Sequence, residues 1–228
     1  MLIHERVQQL LTVAGTKCDK RAIHFLNAAI NYLEVGRWFA ERQLRPKRWL
    51  PTRNQIFDCA ASGIAQRRVL YMEFGVFRGD STRYWSRLLH NPESQLHGFD
   101  SFEGLPEHWT VDQVKGTFST GGRVPAVDDP RVVFFKGWFD ETLPRYVVPK
   151  HDVLFINIDV DLYSSTRTVL HAMRPYIREG TYIYFDEFSD RNHELKAFNE
   201  FLDESGIHCE LMAANRQLSQ VLFRVVKP

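Results

Sequence analysis

The sequence predicts a doubly wound α/β fold built on a mostly parallel sheet. From residue 68 onward, short apolar runs rich in β-forming residues alternate with helical patterns, which is typical of parallel strands joined by crossover helices. Near the end, one strong helical pattern is followed by two strands without another long helix, which indicates a closing hairpin with an antiparallel last strand. The 228 residues, 44% of them hydrophobic, suffice for one substantial core and favour a single catalytic domain.

Seven strands are expected in this sheet. They cover residues 69–74, 95–99, 132–136, 153–158, 181–185, 208–211 and 221–226. Helices are expected over 81–89, 164–177 and 190–205, the first with Ser81 near its N-cap and the second capped by Ser164 or Ser165. Gly206 is available to end the third helix.

Residues 1–67 are expected to form an N-terminal helical cap on a catalytic domain of residues 68–228, the two making one compact unit. Apolar residues between 25 and 33 recur at roughly helical spacing, which predicts an amphipathic helix. Its apolar face would pack on the domain or on a second copy of the chain, giving a homodimer. A lid over the substrate is the alternative.

Charge and cysteine content limit the classes of binding partner and the cellular location that are expected. The 29 basic and 28 acidic side chains leave a net charge of +1, so neither nucleic acid nor an anionic membrane is expected as a partner. Cys18, Cys59 and Cys209 form no CxxC pair, which argues against a disulfide framework and a zinc site and favours a cytoplasmic location. Polar residues interrupt the apolar stretch 23–40, and the N-terminus lacks the pattern of a signal peptide, so no membrane span is expected.

A glycine turn follows the first long strand. Gly75 would let backbone approach a ligand closely, and Gly79 would allow tight entry into a helix whose N-terminus offers free N–H groups. A purely structural turn would also explain the pattern. The spacing is not the Gly-x-Gly-x-x-Gly of a dinucleotide fold, which disfavours a nicotinamide-dependent oxidoreductase.

Asp100 ends the next strand, 21 positions beyond Gly79. In nucleoside-binding sheets an acid at about this distance accepts hydrogen bonds from ribose hydroxyls. The alternative is an ordinary cap or turn residue.

Acidic residues follow two later strands. Asp159 and Asp161 come directly after the run 153–158, and Asp186 and Glu187 follow the next strand. Because both sites lie at carboxyl ends of parallel strands, these carboxylates are expected to converge, and a divalent cation such as Mg²⁺ would relieve their repulsion. Alternatively, Asp161 and Glu187 cap helices or form surface ion pairs while one carboxylate faces the site.

Four ordered segments carry a family resemblance. Residues 73–76 (EFGV), 98–106 (GFDSFEGLP), 136–144 (KGWFDETLP) and 158–166 (IDVDLYSST) together resemble the macrocin O-methyltransferase family. These are class I methyltransferases that modify sugar hydroxyls of macrolides and related natural products. The similarity spans roughly residues 52–192. The fifth strand of the pattern ends in Asp186-Glu187, where those enzymes usually have two consecutive aspartates.

The resemblance implies a site for S-adenosylmethionine in the domain 68–228. Glu73, Gly75 and Gly79 would line its methionine end, Asp100 and Ser101 its ribose, and Gly137-Trp138 its adenine. It also makes Asp159, Asp186 and Glu187 the ligands of a metal ion, most simply Mg²⁺. The expected activity is methyl transfer to a hydroxyl of a small-molecule acceptor, a sugar by the resemblance.

The chemistry needs an aligned acceptor oxygen and a group that takes its proton. We expect Asp159 to act through the metal ion, and Asp161 or His108 to serve as the base. His108 lies in the long segment 101–129, where an exposed histidine without a role is the alternative. The same arrangement would serve methylation of a catechol or phenol hydroxyl, which stays open as a second activity.

Overall fold

The computed structural model describes residues 2–110 and 112–228. The helices are α1 Leu2–Gly15, α2 Lys20–Glu41, α3 Arg53–Ile64, α4 Asp80–Leu88, α5 Phe139–Thr142, α6 Tyr163–Met173 and α7 Glu194–Ser205. The strands are β1 Arg48–Trp49, β2 Val69–Phe74, β3 Gln95–Asp100, β4 Val132–Lys136, β5 Val153–Ile158, β6 Tyr182–Phe185, β7 His208–Ala214 and β8 Val221–Lys227. Short 3-10 turns follow α5 and α6 at Leu143–Arg145 and Arg174–Tyr176.

Within the described residues the strands form one eight-stranded sheet in the order β1-β7-β8-β6-β5-β2-β3-β4. The strands β2 to β6 pair in parallel, and β8 runs antiparallel between β6 and β7. The chain order reverses at β2, which lies between β3 and β5. Ligands of such sheets bind at the carboxyl ends of the strands beside this reversal.

Helices cover both faces of the sheet because the central strands are apolar on both sides. In β2, Leu70, Met72 and Phe74 face one core, which includes the end of α2 and the helices α6 and α7. Val69 and Tyr71 face the other core, together with α3 and α4. All six residues of β2 and of β5 are buried, so these strands hold the carboxyl-end turns in fixed positions.

The fold class and the antiparallel last strand are confirmed, with one more strand than expected. The extra strand β1 pairs in parallel with β7 through Arg48 and Trp49. A strand of two residues is too short to show the alternation typical of strands, so no sequence pattern predicts β1. α3 lies in the segment expected as a cap, but it packs on the sheet as one of its covering helices.

Three helix boundaries also differ from expectation. α6 is capped by Leu162 without a side-chain cap, not by Ser164 or Ser165, and α7 begins at Glu194, not at residue 190. In α4 the N-cap is Gly79, and Ser81 lies two residues after it, near the N-cap as expected. α6 ends at Met173, because Pro175 lies in the 3-10 turn that follows. Gly206 ends α7 in a left-handed conformation, as expected.

The first two helices expose much apolar surface. Leu10 is 70% exposed in α1, and Phe25 and Leu33 are 74% and 73% exposed in α2, whereas Val35, Trp38 and Phe39 near the end of α2 are buried. The helical pattern is therefore present, but only its last turns pack on the domain. The homodimer through these helices stays a prediction. In the described part of the chain, no helix combines the length and apolar character needed to cross a bilayer.

Candidate active site

One cavity opens at the carboxyl ends of the central strands. The register pairs Phe99, Phe74, Ile158 and Phe185 in one row across β3, β2, β5 and β6. The residues that follow this row are Asp100, Gly75, Asp159 and Asp186, and all of them line a cavity of about 360 Å³. That volume lies in the usual range for small-molecule sites.

The turn after β2 is held by Asp100. One carboxylate oxygen of Asp100 accepts hydrogen bonds from the backbone N–H groups of Val76 and Phe77, both at 2.8 Å, and the other accepts from Phe102 at 2.7 Å. Gly75 has a φ of +84°, and a Cβ there would lie 1.8 Å from the carbonyl oxygen of Asp159. Only glycine therefore fits where the two strand ends approach.

The two residues expected to contact adenine, Gly137 and Trp138, lie beside this turn. The N–H of Gly137 donates to the carbonyl oxygen of Asp100 at 3.0 Å, which fixes the end of β4 beside the end of β3. Trp138 follows at the start of α5, and Gly137 and Trp138 both line the cavity. Ser101 also lines it, is buried, and accepts a hydrogen bond from the N–H of Glu103 at 3.1 Å. Gly79, which precedes α4, does not itself line the cavity, but its neighbours Arg78 and Asp80 do.

Glu73 lies at the floor of the cavity and is buried. Its carboxylate accepts hydrogen bonds from the hydroxyl of Thr82 and from that of Tyr71, the latter at 3.1 Å. Asn157 of β5 donates in turn to the Tyr71 oxygen at 2.8 Å. Burial raises the pKa of Glu73 to about 8, although the two hydroxyl donors and the Arg53 charge act against the rise.

Acidic side chains fill the other half of the cavity. Asp159, Asp161, Asp186 and Glu187 all line it. Asp161 is 7% exposed and has a φ of +62°, an uncommon conformation for a residue other than glycine. Burial and the charges of Glu187 and Asp186 raise the pKa of Asp161 to about 7. Burial likewise raises the pKa of Glu187 to about 7, with Asp186 adding to the effect.

A basic residue lies between two of these carboxylates. Nη1 of Arg53, the first residue of α3, is 3.3 Å from Oδ2 of Asp159 and 3.7 Å from Oδ1 of Asp186. The same Asp186 oxygen accepts hydrogen bonds from the Tyr184 hydroxyl at 2.5 Å and the Gln220 amide at 3.1 Å. Burial raises the pKa of Asp159, and the Asp186 and Asp161 charges add to the rise, while Arg53 lowers it.

A fifth carboxylate lies behind the cavity wall. Glu194 of α7 is fully buried, and one of its oxygens accepts the N–H of Glu187 at 3.1 Å. Its other oxygen has no hydrogen-bond partner in the described residues. Burial, together with the neighbouring Asp161 charge, raises the pKa of Glu194 well above its usual range. A carboxyl group in such surroundings is held neutral.

Comparison with known proteins agrees with this geometry. A family model described as macrocin O-methyltransferase (TylF) matches residues 108–224, more than half of the chain. The chain belongs to the macrocin O-methyltransferase family. The matched segment includes the ends of β5 and β6 and the four acidic residues that line the cavity there.

Two curated relatives are O-methyltransferases by name, and the name of the first specifies a rhamnosyl group. A rhamnosyl-tetracenomycin 4'-O-methyltransferase of Streptomyces olivaceus is 28% identical over 142 residues, 52% of this chain and 52% of the relative. The mycinamicin III 3''-O-methyltransferase of Micromonospora griseorubida is 28% identical over 125 residues, 55% of this chain and 46% of the relative. The chain thus spans about half the length of the curated relatives it matches.

Among solved structures, a calicheamicin methyltransferase is 27% identical to this family member. The TM-score is 0.56, and the comparison covers 75% of this chain and 76% of that chain. The fold is therefore that of the Rossmann-like class I methyltransferases.

Some of the site residues expected from the sequence line the cavity, and others lie outside the lining. Those in the lining are Glu73, Gly75, Asp100, Ser101, Gly137, Trp138, Asp159, Asp161, Asp186 and Glu187. His108 lies outside the lining, is exposed, and accepts a hydrogen bond from the N–H of Lys115 at 3.3 Å. Asp161 and Glu187 face the cavity and do not cap a helix, in contrast to the alternative considered from the sequence.

Sequence reasoning missed Arg53 and Glu194 in this family member. Arg53 follows a turn-rich break and gives no local signal apart from the preceding Thr52, which caps α3. Glu194 begins a strongly amphipathic helix, where an acid in the first turn is expected to face solvent. Trp109 and Gln113 of the long loop also line the cavity, so this segment covers part of it.

The substitution Glu73→Gln is expected to make the unfolding free energy of this family member less dependent on pH. The pKa of Glu73 is about 8 in the folded chain against 4.5 normally, so the folded state holds an extra proton between these values. The wild-type contribution is therefore favourable below pH 4.5 and is lost as pH rises through 8. The variant should be more stable than wild type above pH 8 by a few kcal/mol, an advantage that shrinks toward pH 5.

Urea unfolding at several pH values measures this difference. Glu103→Gln removes an exposed acid nearby and should show no such trend. Equal pH slopes for wild type and the Glu73 variant would mean that Glu73 is ionised in the folded chain.

Proposed function

We propose that this protein is an S-adenosylmethionine-dependent methyltransferase that methylates a hydroxyl of a sugar or a glycosylated natural product. The observation that carries the proposal is one cavity in which a nucleoside-type cradle at β2, β3 and β4 adjoins a cluster of carboxylates at β5 and β6. Family membership and the rhamnosyl substrate in the name of one relative support the same reaction.

The cavity residues fit the parts of the cofactor. Asp100 would accept the ribose hydroxyls, and Ser101 lies beside it. Gly137 and Trp138 would contact the adenine, and Glu73 the positively charged methionine end. Gly75 and Gly79 would form the turn that follows β2, where the start of α4 offers free N–H groups. When bound, S-adenosylmethionine supplies an electrophilic methyl group on a sulfonium that already carries its leaving group.

The carboxylate half of the cavity would align the acceptor and take its proton. We assign the base to Asp161, because its carboxyl group lines the cavity and its pKa of about 7 suits proton transfer near neutral pH. As the bond from the acceptor oxygen to the methyl carbon forms and the bond from carbon to sulfur breaks, the hydroxyl proton passes to Asp161. His108 is exposed and outside the lining, which makes it the weaker candidate.

The Mg²⁺ expected at Asp159, Asp186 and Glu187 stays a prediction, and the donor arrangement does not fit it. No group of three ligating side chains surrounds one point in the described residues. Arg53 lies between Asp159 and Asp186, and the facing Asp186 oxygen already accepts two hydrogen bonds. No step of the proposed reaction is therefore assigned to a metal.

Purified protein tests the function directly. Titration calorimetry should detect binding of S-adenosylmethionine and none of NAD. Incubation with deoxysugar glycosides, nucleotide-linked sugars and catechols should then produce S-adenosylhomocysteine with the sugar-containing acceptors. Turnover only with catechols would replace the sugar proposal by the phenol-directed activity. Binding of NAD in place of S-adenosylmethionine would overturn both.

A further inference from the structure

The side chain of Arg53 places a positive charge beside the carboxylate cluster of Asp159 and Asp186. Arg53 begins α3, and the hydroxyl of Thr52 accepts the N–H of Gln55 at 3.4 Å as the cap of that helix. The start of α3 thereby brings the guanidinium between Asp159 and Asp186, at 3.3 and 3.7 Å. Its side chain is 32% exposed, so it is held at the cavity wall and still reaches the cavity.

A cation beside these carboxyl groups lowers the electrostatic cost of the cluster. Four of the acidic side chains that line the cavity, Asp159, Asp161, Asp186 and Glu187, lie beside β5 and β6 and would repel one another strongly if all were ionised without a partner. Among the described lining residues the basic ones are Arg53 and Arg78, and the Arg78 guanidinium lies 4.9 Å from the centre of the Phe77 ring in the other half. Arg53 is therefore the basic lining residue that offsets part of the negative charge of the cluster.

A guanidinium can hold two carboxylates and still bind a ligand. It carries five N–H donors in a planar fork, is always charged, and is less strongly hydrated than a lysine ammonium. Here the nitrogen Nη1 is the one that contacts both carboxylates, so these contacts do not use the other N–H groups. A divalent ion and this guanidinium cannot both occupy the space between Asp159 and Asp186, because like charges at that distance repel.

We propose that Arg53 is the resident cation of the acidic site and positions Asp159 and Asp186 in the place where the family resemblance puts a metal ion. The part of Arg53 in catalysis rests on the proposed function. Its ion pairs with Asp159 and Asp186 do not. The fixed guanidinium orients the two carboxylates without a metal, so methyl transfer by this chain is independent of divalent ions.

Binding of Mn²⁺ to the full chain, followed by electron paramagnetic resonance, tests the proposal without turnover. Wild type stripped with EDTA should bind Mn²⁺ at least about tenfold more weakly than Arg53→Gln, because the variant frees both carboxylates. Arg53→Lys keeps a positive charge and should resemble wild type. Arg37→Gln, which removes an exposed arginine paired with Glu41, is the matched control and should not gain Mn²⁺ binding.

Activity provides the second measurement. EDTA-treated wild type should retain its methyl transfer, whereas Arg53→Gln should lose at least about tenfold in kcat with less than threefold change in affinity for S-adenosylmethionine. Added guanidinium should restore part of the loss, which a merely structural defect would not allow. One tightly bound Mn²⁺ per wild-type chain, or activity lost to EDTA and restored by Mg²⁺, would overturn the proposal.

The two measurements separate this inference from the proposed function. If no acceptor is methylated, the Mn²⁺ titration of wild type and Arg53→Lys still decides whether the acidic site binds a divalent ion. If Arg53→Gln fails to fold, the same two proteins decide it: tight Mn²⁺ binding overturns the proposal, and weak binding together with EDTA-resistant activity supports it.

Discussion

Asp100→Ala is expected to weaken the binding of S-adenosylmethionine by about 100-fold or more. Two hydrogen bonds from ribose hydroxyls to a carboxylate would be lost, each contributing about 1.5–3 kcal/mol. Asp100 also accepts three backbone hydrogen bonds, from Val76, Phe77 and Phe102, so the turn after β2 would lose its fixed shape. Both effects act on the same half of the cavity. Titration calorimetry on the purified variant measures the change.

Two further variants make this result specific to the carboxylate of Asp100. Asp140→Ala removes an exposed acid of α5 outside the cavity lining, and its affinity should equal that of wild type. Asp100→Asn keeps one oxygen acceptor, so its affinity should lie between those of wild type and Asp100→Ala. Thermal unfolding of each sample without cofactor shows how much of the loss comes from the turn. Unchanged affinity of Asp100→Ala would remove this residue from the ribose site.

The sequence predicts those helices and strands whose own residues show a regular hydrophobic pattern. β2 and β5 are apolar runs with β-forming residues, and their burial on both faces is what makes them visible in the sequence. β1 has two residues, so it carries no period and depends on β7 for its pairing. The sequence places Ser81 near the N-cap of α4, but Gly79, with a left-handed φ, is the N-cap itself, and Ser81 lies buried inside the first turn.

The acids at the strand ends could be predicted because one rule governs all of them. Parallel strands end at one edge of the sheet, and the register brings the residues after Phe99, Ile158 and Phe185 to one level. Arg53 could not be predicted in this way. It lies 106 positions before its partner Asp159 and comes from a helix on one face of the sheet, so only the packing of that helix brings them together.

Asp161→Asn is expected to lower kcat by about 100-fold or more while leaving the affinity for S-adenosylmethionine within about threefold. A positioned general base contributes about 10²- to 10⁴-fold to such reactions, and the asparagine amide cannot accept the proton. The exchange is nearly isosteric, and asparagine tolerates the φ of +62° found at this position better than most residues. Single-turnover methyl transfer with a saturating acceptor measures the chemical step separately from product release.

The matched control for Asp161→Asn is Asp128→Asn, which removes an exposed carboxylate from the long loop outside the cavity lining. Its kcat should equal that of wild type. Alanine at position 161 should lose as much activity as asparagine and also some stability, because the left-handed backbone is costly for a residue with a Cβ and no local hydrogen bond. A kcat for Asp161→Asn within a few-fold of wild type would show that another group accepts the proton. Asp159, two residues before Asp161 and lining the same cavity, is the next one to test.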